Sequence, residues 1–251
     1  MKRLEIIAVE GIGEVADGDS VGQLIYDACT GLGLQVSSND IVVVAHKIVS
    51  KAEGQIVDLD TVVPSPRALE TASQLDKDAR LTELILRESR RVIRMRGATI
   101  IVETHHGFIC ANAGVDLSNA GHGRAILLPQ NPDQSALRIQ EEIRKLAGVA
   151  PPIIISDSFG RPWRLGTTDV ALGVAGLNPF KDYRGDTDRY GYELRVSMAA
   201  VADEIASAAE LVMGKKDGIP VVLVRGYPLD SRKGSAQDLL RPEAEDLFRK
   251  F

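Results

Sequence analysis

The 251-residue chain is long enough for one large domain whose core needs no disulfide or structural metal. With 44% hydrophobic and 26% charged residues it has the composition of an ordinary soluble globular protein. A formal net charge of -5 excludes a general nucleic-acid binder, which needs an excess of Lys and Arg, but leaves room for a locally basic pocket.

In chain order, the apolar run Leu4–Val9 predicts a strand, ended by Gly11 and Gly13. Asp19 and Ser20 then cap a helix whose apolar positions Val21, Leu24, Ile25 and Ala28 share one face. Ile41–Ala45, continuous and β-branched, reads as a buried strand. Ser65-Pro66 opens a helix to about Leu75, and a second helix is expected from about Asp78 to Arg94. Thr99–Glu103 and Phe108–Asn112 are spaced as a hairpin. A helix begins at Asn131-Pro132 and closes at Gly148, followed by a short strand at Ile153–Ile155 and another at Thr168–Ala175. Leu194, Met198, Val201, Ile205, Ala208 and Val212 predict a long helix over 193–213, whose seam suits packing on another helix or another subunit. A strand at Ile219–Arg225 and a terminal helix over Arg241–Phe251 complete the set. Strands and helices mix without strict alternation, which favours an α+β fold over a doubly wound sheet.

The chain starts with two charges and a short apolar run containing Glu5, too short and too acidic for a secretion signal. No apolar run approaches the ~20 residues of a membrane span, so the cytoplasm is the default compartment. Cys29 and Cys110 read as buried reduced thiols, and the absence of Cys-x-x-Cys leaves no zinc knuckle.

Five segments carry chemistry. Gly11-Ile12-Gly13-Glu14-Val15-Ala16 matches a dinucleotide turn only loosely, because Asp17-Gly18-Asp19 separates it from the next helix and three acids would repel phosphate. It reads either as a turn that brings backbone close to a ligand or as a plain strand-to-loop turn. No P-loop motif occurs. His46, Lys47, Ser50 and Lys51 follow a buried strand, and their ammonium groups suit phosphate or are simply solvated. Asn112–Asn119, with Asp116 at its centre, offers oxygen ligands for Mg²⁺ or Mn²⁺, or forms an Asx-turn. Ser156-Asp157-Ser158 ends a strand in the manner of a metal site covered by a mobile loop, and Arg161 and Arg164 can fork onto carboxylate or phosphate. Trp163, the one tryptophan, either stacks on a flat heterocycle or anchors the loop in the core, the second being the expected role. Met213-Gly214-Lys215-Lys216-Asp217-Gly218 suits a helix C-cap and a nucleotide-wrapping loop alike. His105 and His106 are adjacent on a strand-like stretch, point to opposite faces, and are left without a role.

Taken together, Val44–Gly54, Asn112–Asn119, Ser156–Arg161, Val201–Ala206 and Gly218–Gly226, in this order, resemble the coenzyme F420-0:L-glutamate ligase (γ-glutamyl ligase) family over nearly the whole chain. The resemblance implies GTP-dependent addition of L-glutamate to the lactyl carboxylate of F420-0, then a further γ-linked glutamate, with release of GDP and phosphate. It implies an unusual α+β fold, an intertwined homodimer, and small-molecule partners only, with no nucleic acid and no membrane. Metal ligands fall on Asp116, Asp157 and Ser158, for two Mg²⁺ or Mn²⁺ ions, with K⁺ as a further candidate. Nucleotide contacts fall on Ile12, Gly13, Glu14, Val15, His46, Lys47, Lys51 and Asn119, and on the loop holding Met213, Gly214, Lys215, Asp217 and Gly218. Catalytic roles are expected of Lys51, Asp116 and Asp157; Arg161 and Arg164 are assigned to anionic groups of the substrate from their own chemistry, not from the resemblance. The sequence departs from some relatives at Lys215, where they carry an acidic metal ligand. The whole chain is expected to be one such domain, without the nitroreductase-like domain that follows it in some relatives. A same-fold ligase for another carboxylate, and a non-catalytic nucleotide-binding protein, are the competing expectations.

Overall fold

The computed structural model describes residues 3–230 and 232–248. Its centre is a five-stranded sheet made of β1 (Glu5–Ala8), β2 (Ile41–Ala45), β8 (Ile153–Arg161), β9 (Arg164–Ala175) and β12 (Val221–Arg225), in the order β1-β12-β2-β8-β9. Only β2 and β8 run parallel; every other neighbouring pair is antiparallel. The continuous apolar run of β2 is explained by burial on both faces. Val42 and Val44, with Ile153, Ile155, Val221 and Leu223, pack on α1 (Val21–Gly31) and α5 (Pro132–Ala147), and on α2 (His46–Ala52) at the sheet's end. Ile41 and Val43, with Ile154, Val222 and Val224, pack on α6 (Val201–Met213).

Between α2 and α5 lies a second group of elements. It holds β3 (Ile56–Asp58) paired with β7 (Arg124–Ile126), the helices α3 (Pro66–Leu75) and α4 (Ala79–Arg87), and a sheet of β4 (Ser89–Arg96), β5 (Thr99–Thr104) and β6 (Ile109–Ala111). Short strands β10 (Lys181–Asp182) and β11 (Met198–Ala199) pair outside the main sheet. The architecture is thus mixed, with several sheets and packed helices, as expected. No helix among the described residues is long and apolar enough to cross a membrane.

The caps read from sequence form as hydrogen bonds. The Ser20, Ser65 and Asn131 side chains accept from Gln23 N, Ala68 N and Gln134 N, and Gly148 closes α5 with φ 73°. Glu142 of α5 reaches across to the start of α1, accepting from Ser20 Oγ at 2.9 Å and Gly22 N at 2.8 Å.

Four expectations are corrected. The helix after Asp78 ends at Arg87, and Ser89–Arg96 is a strand; the Ser89 hydroxyl donates to the Ile85 carbonyl, and the next residues pair with β5. The long helix begins only at Val201, because Leu194 pairs in a turn with Gly185 and Asp186 while Met198 pairs with Asp182. The stretch after Ile155 is no covering loop, since β8 continues to Arg161 and returns as β9 in a hairpin. Over Arg241–Phe251 the described part has only a single 3₁₀ turn, Glu243–Glu245, and residues 249–251 lie outside the described residues.

Helices α1 and α5 touch most closely at Gly22, where an added Cβ would sit 2.4 Å from Glu142 Cβ and 3.1 Å from the Ile139 carbonyl oxygen. Gly22→Ala is therefore expected to destabilise the chain by about 1–3 kcal/mol through overpacking. Helix propensity alone would give the opposite sign, a gain of up to ~1 kcal/mol. Urea unfolding of the variant separates the two.

Candidate functional site

Ligands of open sheets bind beyond the carboxyl ends of parallel strands. Here that end is set by the pairing of Ala45 with Ser156, the last pair of the parallel β2–β8 ladder. Beyond it β2 turns into α2, which presents His46, Lys47 and Lys51, while β8 runs on with Ser156, Asp157 and Ser158. A cleft of about 650 Å³ opens at this point. Its lining includes Ile12–Val15, His46, Lys47, Lys51, Asp116, Asn119, Asp157, Ser158, Met213–Lys215 and Gly218. Segments distant in sequence are thus brought to one place.

Side chains alternate along β8. Asp157 shares a face with Ile155 and stands beside α2, whereas Ser156 and Ser158 share a face with Ile154, toward α6. His46 is 2% exposed, and its Nε2 lies 3.3 Å from Asp157 Oδ1. The pair is close but not aligned for a hydrogen bond, so His46 Nε2 is buried without a bonded partner; Nδ1 is 3.3 Å from Ser50 Oγ. On the opposite face Asp169 of β9, only 5% exposed, accepts from Ser156 Oγ at 2.9 Å and Ser158 Oγ at 2.5 Å.

Asp116 is held at a bridge to Ile126, after a turn in which Asn112 and Ala113 take left-handed φ of 53° and 57°. It forms the expected Asx-turn, accepting from Ser118 N at 2.7 Å, and it also pairs with Lys47 Nζ at 2.7 Å. Burial alone would raise its pKa, but the bonds from Lys47 and Ser118 outweigh burial and hold the carboxyl below its ordinary range. Lys51 Nζ, nearly buried, meets Glu14 Oε1 at 2.5 Å. At the end of α6, Lys215 Nζ is 3.0 Å from Glu210 Oε1 and 3.7 Å from Asp169 Oδ1, and it donates to Ser158 Oγ. Among the described residues no three His, Cys, Asp or Glu side chains converge as a ready-made metal cage. The donor set still fits a hard cation completed by phosphate oxygens, since Mg²⁺ typically takes only one or two carboxylates from protein. The orphaned His46 nitrogen marks the same spot.

A family model described as F420-0:gamma-glutamyl ligase matches residues 11–226. The chain belongs to the F420-0:gamma-glutamyl ligase family. It is 46% identical to the coenzyme F420:L-glutamate ligase of Methanothermobacter thermautotrophicus over 98% of this chain and 99% of the relative. The corresponding figures are 45%, 85% and 86% for the protein of the same name from Methanocaldococcus jannaschii, and 38%, 99% and 97% for that from Archaeoglobus fulgidus.

In this member of the F420-0:gamma-glutamyl ligase family two expected residues stay out of the cleft lining. Arg161 sits at the hairpin end, its Nη2 donating to the Leu165 carbonyl at 2.7 Å. Asp217 turns back toward Gly214, with Oδ2 2.7 Å from where a Cβ on that glycine would be. Trp163 does not anchor the core; it is 78% exposed at the hairpin tip and contacts Phe248. His105 and His106 bond to the carbonyls of Arg87 and of Pro129 and Gln130, outside the cleft. Sequence reading missed Thr167, Asp169 and Glu210, all of which line the cleft, and quoted Ser156 and Lys216, which also line it, without giving either a role. Asp169 was hidden because only the strand pairing Ser158–Asp169 brings it there. Both cysteines are buried and free as expected; burial pushes Cys29 up to about 11, and burial with the nearby Asp157 charge pushes Cys110 up to about 12.

Glu14 is highly exposed and competes with any anion for Lys51. Glu14→Gln is expected to tighten binding of inorganic pyrophosphate or a nucleoside diphosphate by up to about fivefold, the scale of an exposed ion pair of about 0.2–1 kcal/mol. Calorimetric titration of both proteins measures it.

Proposed function

We infer that the chain is a ligase that joins L-glutamate to the lactyl carboxylate of F420-0 and then adds a further γ-linked glutamate, consuming GTP. Family membership and the names of the relatives support the ligase and its substrates. The observation that carries the mechanism is the meeting of Lys47 and Lys51 with Asp116 and Asp157 in one cleft at the carboxyl end of β2.

A carboxylate is a poor acyl donor. Attack of its oxygen on the γ-phosphorus of GTP forms a P–O bond, releases GDP and gives an acyl phosphate. Attack of the glutamate amine then forms the amide and releases inorganic phosphate, with loss of one amine proton. Phosphoryl transfer of this kind needs positioning and charge neutralisation more than covalent help. Lys47 and Lys51 supply positive charge for the phosphates, and the Ile12–Val15 backbone can approach the nucleotide closely. Asp116 and Asp157 would hold Mg²⁺ or Mn²⁺, which when bound draws charge off the phosphate oxygens, while Ser158, also expected as a ligand, turns to Asp169 and Lys215 on the other face of β8. Lys47 must exchange its hold on Asp116 for phosphate as this happens.

Incubation with F420-0, GTP, Mg²⁺ or Mn²⁺ and glutamate should add the mass of one glutamate and release GDP. Asp157→Asn should lower turnover by roughly a hundredfold or more, the scale on which removal of one electrostatic stabiliser acts, with an unchanged melting curve. No mass gain with wild type, or near-normal turnover by the variant, overturns the reading.

We infer also that the chain works as a homodimer. Leu165, 98% exposed, and Trp163 on the β8–β9 hairpin, with Leu211 on α6, leave large apolar side chains exposed on these two elements. Large exposed apolar surface of this kind marks association sites. Sedimentation should give twice the chain mass; a monomer at micromolar concentration would refute it.

A further inference from the structure

Lys215 has surroundings unlike those of a helix-capping lysine. Its Nζ lies 3.0 Å from Glu210 Oε1 and 3.7 Å from Asp169 Oδ1, and it donates to Ser158 Oγ. The Ser158 hydroxyl in turn donates a hydrogen bond to Asp169 Oδ1 at 2.5 Å, so ammonium, hydroxyl and carboxylate form one ordered chain. Asp169 is nearly buried, and its other oxygen is taken by Ser156. A buried carboxylate is costly unless a positive charge stands beside it. The ammonium therefore sits among three oxygen donors at the rim of the cleft, the setting a hard cation takes.

We propose that Lys215 is a built-in cation that does the work of one divalent ion, with Asp169 and Glu210 as its anchors, so that each cleft takes up a single divalent ion with its nucleotide. This rests on the nucleotide and metal reading given above. A tethered +1 charge cannot be removed by chelation and does not have to be recruited from solution. It also makes the Asp169 face of β8 unattractive to a second M²⁺, which would meet like charge about 4 Å away.

The count of bound metal tests this directly. The full chain is titrated with Mn²⁺ in the presence of saturating GDP, with free Mn²⁺ followed by electron paramagnetic resonance. One Mn²⁺ per chain is expected for wild type. Lys215→Ala is expected to bind two, because Asp169, Glu210 and Ser158 then face the cleft without a counter-charge, and Lys215→Arg is expected to bind one. Two ions in wild type overturn the proposal, as does a single ion of unchanged affinity in a folded Lys215→Ala. Failure of wild type to bind any Mn²⁺ or GDP is a different result: it sinks the nucleotide and metal reading, and the Lys215 assignment with it. The wild-type count needs no variant, so misfolding of a mutant cannot rescue the idea.

Discussion

The site depends on one strand pairing. Because β2 and β8 run parallel and stop pairing at Ala45 and Ser156, the chain leaves β2 as a helix just where β8 continues. One element thus supplies amines and the other carboxylates, at a distance fixed by the ladder itself. A one-residue slip would turn Asp157 toward α6 and Ser156 and Ser158 toward His46, exchanging the two faces of the site. The fully buried rows on both faces of β2 and β8 prevent such a slip, since each would lose its partners in the cores against α1 and α5 or against α6.

Charge balance follows from this arrangement. The cleft contains Lys47, Lys51, Lys215 and Lys216 beside Glu14, Asp116, Asp157, Asp169 and Glu210. Nearly every one of these charges has an internal partner: Lys47 has Asp116, Lys51 has Glu14, and Lys215 has Glu210 and Asp169. Such a site is pre-organised for a ligand that carries both signs, as a metal-bound triphosphate does, because each internal pair can be traded for an external one. An acidic protein with a net charge of -5 can in this way hold a polyanion without being basic overall.

The elements legible in the sequence were those with local causes. The strand Ile41–Ala45, the caps at Ser20, Ser65 and Asn131, and the closing Gly148 were each written in residues within a few positions. Elements decided by distant partners were not. Ser89–Arg96 carries enough helix-compatible residues to prolong α4, but pairing with β5 makes it a strand. The stretch 193–200 keeps a helical period, yet its backbone is taken up by residues 181–187. Helix α2 lacks a side-chain cap and so gave no signal of its own. Most of the expected site residues do meet in the cleft, because they were recognised as a set through a family resemblance rather than one by one. Arg161 and Trp163 were placed by proximity in sequence, and the hairpin carries both away.

Burial, with the nearby Asp157 charge adding to it, pushes the Cys110 thiol up to about 12, and the side chain is nearly closed to solvent. Since thiolate is the species that peroxides and maleimides attack, this sulfur is chemically mute at neutral pH. The sulfur next to Asp157 is therefore kept from oxidation first by its burial and second by that neighbouring charge.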